Sequence, residues 1–185
     1  ASDVYKRQTF DDLKIDVSGK TEVDGSGDGS TRESNAAVTV QGGGDATIEL
    51  DGDNTLKSAT NHAGLEKNNG GKLTIADKDK NGKLTAEGGK YGAGIGGGDK
   101  GNGSDIAITG GEVKASSENV GAGIGGGYKG DGKRIKITDG TVDAASDKGA
   151  GIGGGDDGNG ENIAISGGKV TAKSSKNGAG IGGGY

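Results

Sequence analysis

The sequence has no cysteine and very few aromatic side chains. Its 185 residues include four Tyr, one Phe and a single His, with no Cys, Met or Trp. Without cysteine, neither a disulfide framework nor a thiolate metal site is available. Because aromatic residues are scarce, any core must be built from small aliphatic side chains, which stacked β-structure can use.

A cluster of positive charge is also missing. The chain has 22 Lys and Arg against 27 Asp and Glu, which gives a net charge of -5, and both signs are interspersed along it. Nucleic-acid-binding proteins carry a concentrated basic footprint. We therefore expect no nucleic acid as a partner, and no segment of the sequence is expected to insert into a membrane.

Glycine, by contrast, is abundant, with 45 residues. The heptapeptide Gly-Ala-Gly-Ile-Gly-Gly-Gly occurs four times, at intervals of 28 or 29 residues, beginning at Gly92, Gly121, Gly149 and Gly178. A fixed period of this size is typical of repeat architectures, in which each unit buries its apolar face by stacking on its neighbours.

Alignment of the repeats places aliphatic residues in shared columns. Ile106 and Ile108, like Val113 and Ala115, lie two residues apart, which puts each pair on one face of a strand. The full columns are Ile95, Ile124, Ile152 and Ile181; Ile106, Ile135 and Ile163; Ile108, Ile137 and Ile165; Val113, Val142 and Val170; and Ala115, Ala144 and Ala172. A disordered glycine-rich linker, which the composition would also suit, has no reason to keep these columns.

The columns and the glycines between them predict the fold. Each unit has three short strands, and glycine pairs such as Gly110-Gly111 suit the positive-φ corners that separate them. We therefore expect an all-β chain: a right-handed, single-stranded parallel β-helix of about six coils, each of 28–30 residues. A propeller blade needs about 40 to 50 residues, and a leucine-rich repeat needs a leucine and asparagine ladder that this sequence lacks.

Three regions differ in their pattern. Residues 1–8, Ala-Ser-Asp-Val-Tyr-Lys-Arg-Gln, resemble a translated sequencing adapter and are left out of the fold prediction. Residues 9–61 are expected to form irregular N-terminal coils with a polar loop at 24–30, and residues 62–185 to form the regular coils. Because the chain has no initiator Met and stops inside the fourth repeat, we interpret it as an interior fragment of a longer metagenomic reading frame, truncated at the C-terminus.

One stretch of the sequence predicts a calcium-binding loop. The run from Asp77 to Lys83 matches the opening of a calcium loop, with oxygen side chains at alternate positions followed by a glycine turn. The candidate metal residues are Asp77, Asp79, Asn81 and Lys83. The competing interpretation is a polar turn between two strands with an Asn-Gly corner. Calcium is the only cofactor that the sequence suggests.

A second candidate site follows the triple glycines. The column after them consists of Asp99, Tyr128, Asp156 and Tyr185. Tyr128 and Tyr185 lie two coils apart, about 10 Å on the strand spacing, so the pair could stack sugar rings beside neighbouring acids. These four are the candidate carbohydrate-binding residues. The alternative is that the tyrosines merely decorate a β surface.

Catalytic residues do not stand out. No nucleophile, base and orienting group can be assembled from the sequence, and His62 replaces a repeat glycine at a coil corner. The Asp and Glu residues are scattered without forming a pair. Ice binding is disfavoured as well, because it requires a regular row of threonines and the column of Thr109 and Thr138 continues with Ser166. We therefore expect a protein that is not an enzyme.

Several motifs resemble those of a known group of proteins. Residues 46–56, the stretch 62–67 and the heptapeptide repeats are similar to glycine-rich parallel β-helical surface proteins of gut Firmicutes, which are described as carbohydrate-binding or adhesin-like. This resemblance implies a cell-wall-associated or secreted bacterial protein, acting as an adhesin-like stalk with polysaccharide or host and cell-wall glycan as partner. The alternative is a fragment of a pectin-lyase-like polysaccharide-degrading enzyme.

Overall fold

The chain forms a β-solenoid with three faces. The computed structural model describes residues 6–19, 22–23, 31–32 and 35–185, and within these it contains strands and no helix. Most of the adapter-like segment and the polar loop at 24–30 lie outside the described residues. The strands form three parallel sheets, so the predicted parallel β-helix is confirmed.

Each turn contributes one strand to each sheet, except that the last turn contributes two short strands to sheet 1. Sheet 1 contains β1 (Lys6–Asp11), β6 (Ala46–Asp51), β9 (Leu73–Ala76), β12 (Gly103–Ile108), β15 (Gly132–Ile137), β18 (Gly160–Glu161) and β19 (Ala164–Ile165). Sheet 2 contains β2 (Lys14–Asp16), β7 (Asp53–Lys57), β10 (Lys83–Gly88), β13 (Glu112–Ser117), β16 (Thr141–Ser146) and β20 (Lys169–Ser174). Sheet 3 contains β5 (Val38–Val40), β8 (Leu65–Lys67), β11 (Ile95–Gly96), β14 (Ile124–Gly125), β17 (Ile152–Gly153) and β21 (Ile181–Gly182).

Three details differ from the expected layout. Sheets 2 and 3 each contain six successive strands, and five turns of the chain connect the first strand to the last. The solenoid therefore has about five turns, slightly fewer than the six coils expected. A short antiparallel pair, β3 (Glu22–Val23) with β4 (Thr31–Arg32), lies outside the solenoid sheets. Lys6 to Gln8, which belong to the adapter-like segment, pair with Ala46 to Ile48.

The register between turns follows the predicted columns. Ile124 pairs with both Ile95 and Ile152, and Val142 pairs with both Val113 and Val170. The alignment also extends upstream as expected, since Leu65 pairs with Ile95. Identical residues therefore sit directly above one another, about 4.8 Å apart.

These columns form the core. The isoleucines and leucines of the inner turns are fully buried in one continuous cluster, to which Phe10 adds the only phenylalanine. Burial of each such side chain stabilises the fold by about 1.5–3 kcal/mol. The last level has no neighbour above it, so Ile181 remains 48% exposed.

Glycine is required where the chain passes from sheet 3 into the next loop. Gly96, Gly125 and Gly153 have φ values of 135, 136 and 138°, a region that other residues rarely adopt. A Cβ on Gly125 would also collide with the carbonyl oxygen of Gly153 on the next turn. The heptapeptide is therefore a backbone requirement, repeated because each turn stacks on the same conformation.

A polar ladder runs beside the core. The backbone N–H of Asp131 donates to Asn102 Oδ1, and the backbone N–H of Asn159 donates to Asp131 Oδ1, both at 2.8 Å. This ladder was not predicted from the sequence, because the column mixes Asn with Asp. Each bond satisfies a backbone group at a corner between the loop and sheet 1.

Candidate functional site

The column after the triple glycines stacks as predicted. The backbone N–H of Lys100 donates to the carbonyl of Tyr128 at 2.9 Å, and that of Lys129 donates to the carbonyl of Asp156 at 2.8 Å. Asp157 makes the same bond to Tyr185. Asp99, Tyr128, Asp156 and Tyr185 therefore occupy successive turns at one corner of the solenoid.

The structure adds a residue that the sequence analysis missed. The rings of Tyr91 and Tyr128 lie with their centroids 5.8 Å apart and their planes at 52°, and Tyr128 N–H donates to the Tyr91 carbonyl at 2.8 Å. Tyr91 directly precedes Gly92 and lies in the loop before the sheet 3 strand, whereas Tyr128 lies in the loop after one. The signal in the sequence that could have identified Tyr91 is its position as an aromatic residue directly before the heptapeptide. We call Tyr91, Tyr128, Tyr185, Asp99 and Asp156 the tyrosine corner.

Two lysines lie over the paired rings. Lys90 Nζ is 5.1 Å from the centre of the Tyr91 ring, and Lys129 Nζ is 5.1 Å from that of Tyr128. Exposed contacts of this kind are worth about 0.5–1 kcal/mol and help to fix the rings. The corner therefore combines aromatic surface with ammonium donors.

The acids of the corner are available as acceptors. In the described part of the chain, the carboxylates of Asp99 and Asp156 take part in no hydrogen bond or ion pair. Tyr185 is 74% exposed and lies two turns from Tyr128, beyond Asp156. The corner thus offers ring faces, hydroxyl groups and free carboxylates along one line.

The candidate calcium residues are arranged differently. Asp77 Oδ1 accepts the backbone N–H of Lys80 at 2.8 Å, and Asp77 Oδ2 accepts that of Gly82 at 3.0 Å. Asn81 donates its amide to Asp51 Oδ1 at 2.9 Å. Within residues 6–19 and 35–185, no group of three or more His, Asp or Glu side chains is arranged to hold a metal ion. The geometry favours the polar-turn interpretation, and calcium binding through Asp77, Asp79, Asn81 and Lys83 stays a prediction.

His62 lies at a coil corner and binds a buried acid. Its Nδ1 is 2.7 Å from Glu66 Oε2, and the Glu66 side chain is 7% exposed. The hydrogen bond with Glu66 raises the pKa of His62. Burial acts to raise the pKa of Glu66, but hydrogen bonds from His62, Asn68 and the Ala63 N–H outweigh it, so this pKa is lowered. Both shifts favour the charged forms of the two side chains, and the contact stabilises the turn before the first heptapeptide.

Sheet 2 carries a second group of charged side chains. Asp16, Lys57 and Glu87 occupy three successive levels and line a groove of about 310 Å³. Lys57 Nζ is 2.9 Å from Glu87 Oε2, and this hydrogen bond raises the pKa of Lys57. A lysine held protonated in this way is a poor general base.

The repeats match a known family over much of their length. Residues 80–99, 106–128, 135–156 and 163–185 match the family described as Beta helix repeat. No match to the chain was found among curated proteins or among solved structures. In the part of the chain that the structure describes, no helix has the length and apolar character needed to cross a membrane. The chain therefore folds as a parallel β-helix, and four of its segments match β-helix repeats.

Proposed function

We propose that the chain is a non-enzymatic extracellular module, an adhesin-like stalk that binds glycans at the tyrosine corner. The observation that carries this proposal is the half-buried Tyr91–Tyr128 ring pair, with centroids 5.8 Å apart. Aromatic rings contribute large contact areas at little cost in side-chain entropy. The rings would pack against the apolar faces of sugars.

The surrounding groups supply the polar half of sugar recognition. Asp99 and Asp156 carry carboxylates that accept hydrogen bonds from hydroxyl groups, and Lys90 and Lys129 supply donors beside the rings. Asp and Tyr alternate from turn to turn along the column, so each recurs every second turn and a polymer of sugars meets a periodic surface. Because the backbone of the corner is fixed by hydrogen bonds between turns, little ordering is needed on binding.

The stalk role rests on the architecture. Neighbouring turns are joined by parallel sheets on three sides, which gives a rigid rod that holds the corner at a distance from an anchoring point. The interspersed surface charge and the lack of cysteine suit a secreted or cell-wall-associated protein. The resemblance of the heptapeptide repeats to bacterial surface proteins supports the same location.

A glycan array tests the proposal. The intact chain is applied to plant, mucin and bacterial-wall polysaccharides, beside Tyr91→Ala, Tyr128→Ala and the sheet 2 control Thr85→Ala. We expect binding to at least one class of glycan, about tenfold weaker in each tyrosine variant and unchanged in the control. Retained binding in both tyrosine variants would place the site elsewhere, and a folded chain that binds no glycan would leave only the stalk.

Polysaccharide cleavage is the second candidate, favoured by the Asp16, Lys57 and Glu87 groove on sheet 2. It is weaker because the Lys57 ammonium is engaged by Glu87 and so is a poor base. Incubation with polyuronates, followed by ultraviolet detection of unsaturated products, separates the two functions. We expect no product; product that disappears in Lys57→Met would identify an enzyme instead.

A further inference from the structure

A groove of about 410 Å³ crosses the outer face of sheet 1, away from the tyrosine corner. One wall carries Lys72, Asp105 and Arg134 from successive turns, and the floor carries small residues such as Ala107 and Ala164. The groove runs across the strands, along the axis of the solenoid. We call it the sheet 1 groove.

The sheet 1 groove is positively charged although the chain as a whole is acidic. It contains Lys72, Arg134 and Lys136 against the single carboxylate of Asp105. In the described residues, neither Lys72 nor Lys136 has an ion-pair partner. Two of the three cations are therefore free to bind an anion.

Arg134 is held in place by the one acid. Its Nε and Nη2 donate to the two oxygens of Asp105 at 2.6 and 2.7 Å. This hydrogen bonding lowers the pKa of Asp105, so the carboxylate stays ionised and keeps the Arg134 guanidinium in a fixed orientation. Nη1 has no partner within the described residues and remains available to a ligand.

We propose that the sheet 1 groove binds a linear anionic polysaccharide, one that carries carboxylate or sulfate groups. Lys72 and Arg134 lie in the same wall two turns apart, about 10 Å on the strand spacing. In an extended polymer whose successive sugars face opposite ways, groups on the same side recur every second sugar, a repeat comparable to two turns of the solenoid. The anionic groups therefore meet cations at the spacing that the fold imposes.

The opposite wall suits the hydroxyl groups of such a polymer. Thr109 Oγ1 donates to the Ile75 carbonyl at 3.2 Å and Thr138 Oγ1 to the Ile108 carbonyl at 3.5 Å. With the hydrogens directed at the backbone, the lone pairs of both oxygens accept hydrogen bonds from a ligand. An acidic peptide would not use these acceptors through its side chains, and the floor has no large apolar pocket to anchor one.

Calorimetric titration of the intact chain tests the proposal at low salt. The probes are a galacturonate hexamer, a sulfated hexasaccharide and a neutral hexasaccharide. We expect at least one anionic probe to bind and the neutral probe to bind at least tenfold more weakly. The double variant Lys72→Gln, Lys136→Gln should weaken the anionic probe by about tenfold or more, because charge-assisted hydrogen bonds are lost.

The matched control is Lys114→Gln with Lys173→Gln, which removes the same charge from sheet 2 and should change the affinity less than twofold. Unchanged binding in the groove variant, or no binding of either anionic probe, would overturn the proposal. Equal affinity for polyglutamate would overturn the assignment to a polysaccharide.

Because this site is separate from the tyrosine corner, Tyr91→Ala should leave anionic binding intact; loss of binding in that variant would place the anionic ligand at the corner instead.

Discussion

At the scale of single residues, the His62–Glu66 pair couples stability to pH. The pKa of His62 is raised, so its contribution is complete below its ordinary value of about 6.5 and is lost as pH rises through the raised value. The pKa of Glu66 is lowered, so its contribution is complete above its ordinary value of about 4.5 and is lost as pH falls through the lowered value. The pair therefore stabilises the fold most between these limits.

NMR titration of the imidazole measures this coupling directly, because His62 is the only histidine. In Glu66→Gln, we expect the pKa of His62 to fall, since the charged acceptor is gone. Glu118→Gln, an exposed acid in another turn, serves as the control and should leave the titration unchanged. An identical His62 pKa in the native chain and in Glu66→Gln would contradict the assigned pair.

The stacked glycines give a second test at this scale. Gly125→Ala forces a Cβ into a φ of 136° and against the Gly153 carbonyl, so we expect the free energy of unfolding to fall by about 2 kcal/mol or more. Gly70→Ala, where a Cβ would meet nothing within 4 Å, is the matched control and should be neutral or slightly stabilising. Urea denaturation compares them; equal stability of the two variants would contradict the role given to the heptapeptide.

At the scale of the strands, each aliphatic column stabilises the solenoid through its neighbours on both sides. Ile124 is fully buried between Ile95 and Ile152, whereas Ile181 has a neighbour on one side only. An isoleucine in the middle of this column therefore buries more apolar surface than an isoleucine at its end. Stability should decline towards the last level, where strands also pair on one side only.

Alanine substitution in this column tests the gradient. We expect Ile124→Ala to lower the free energy of unfolding by about 2–5 kcal/mol, because it leaves a cavity inside the core. Ile181→Ala should cost less than half as much, since 48% of that side chain is already exposed. Chemical denaturation measures both, and comparable losses would show that the last level is packed as tightly as the interior.

The strand columns could be predicted from the sequence because identical residues recur in register, as Ile95 and Ile124 do. The ladder through Asn102 and Asp131 could not, because its residue type changes from turn to turn. Tyr91 was missed for a different reason: it contacts Tyr128 across the loop corner rather than within one column. Alternating oxygens at Asp77 predicted a metal ligand, yet backbone N–H groups occupy both carboxylate oxygens, which a linear pattern does not reveal.

At the scale of the whole molecule, the solenoid keeps two candidate binding surfaces apart. The tyrosine corner lies in the loops beside sheet 3, with Tyr91 before a sheet 3 strand and its other four residues after such strands. The sheet 1 groove lies on the outer face of the next sheet. One presents aromatic rings and free acids, the other cations and threonine oxygens. We propose that the rod binds different parts of a complex glycan at these two surfaces, without either site altering the other.

The central claim is that the paired tyrosines bind sugar, and a titration series at the corner tests it most directly. The glycan selected on the array is titrated calorimetrically into the native chain, Tyr91→Ala and Tyr91→Phe. We predict an affinity about tenfold lower in Tyr91→Ala and close to native in Tyr91→Phe, which keeps the ring and its contact with Tyr128. An affinity that is the same in all three proteins would contradict glycan recognition at the tyrosine corner.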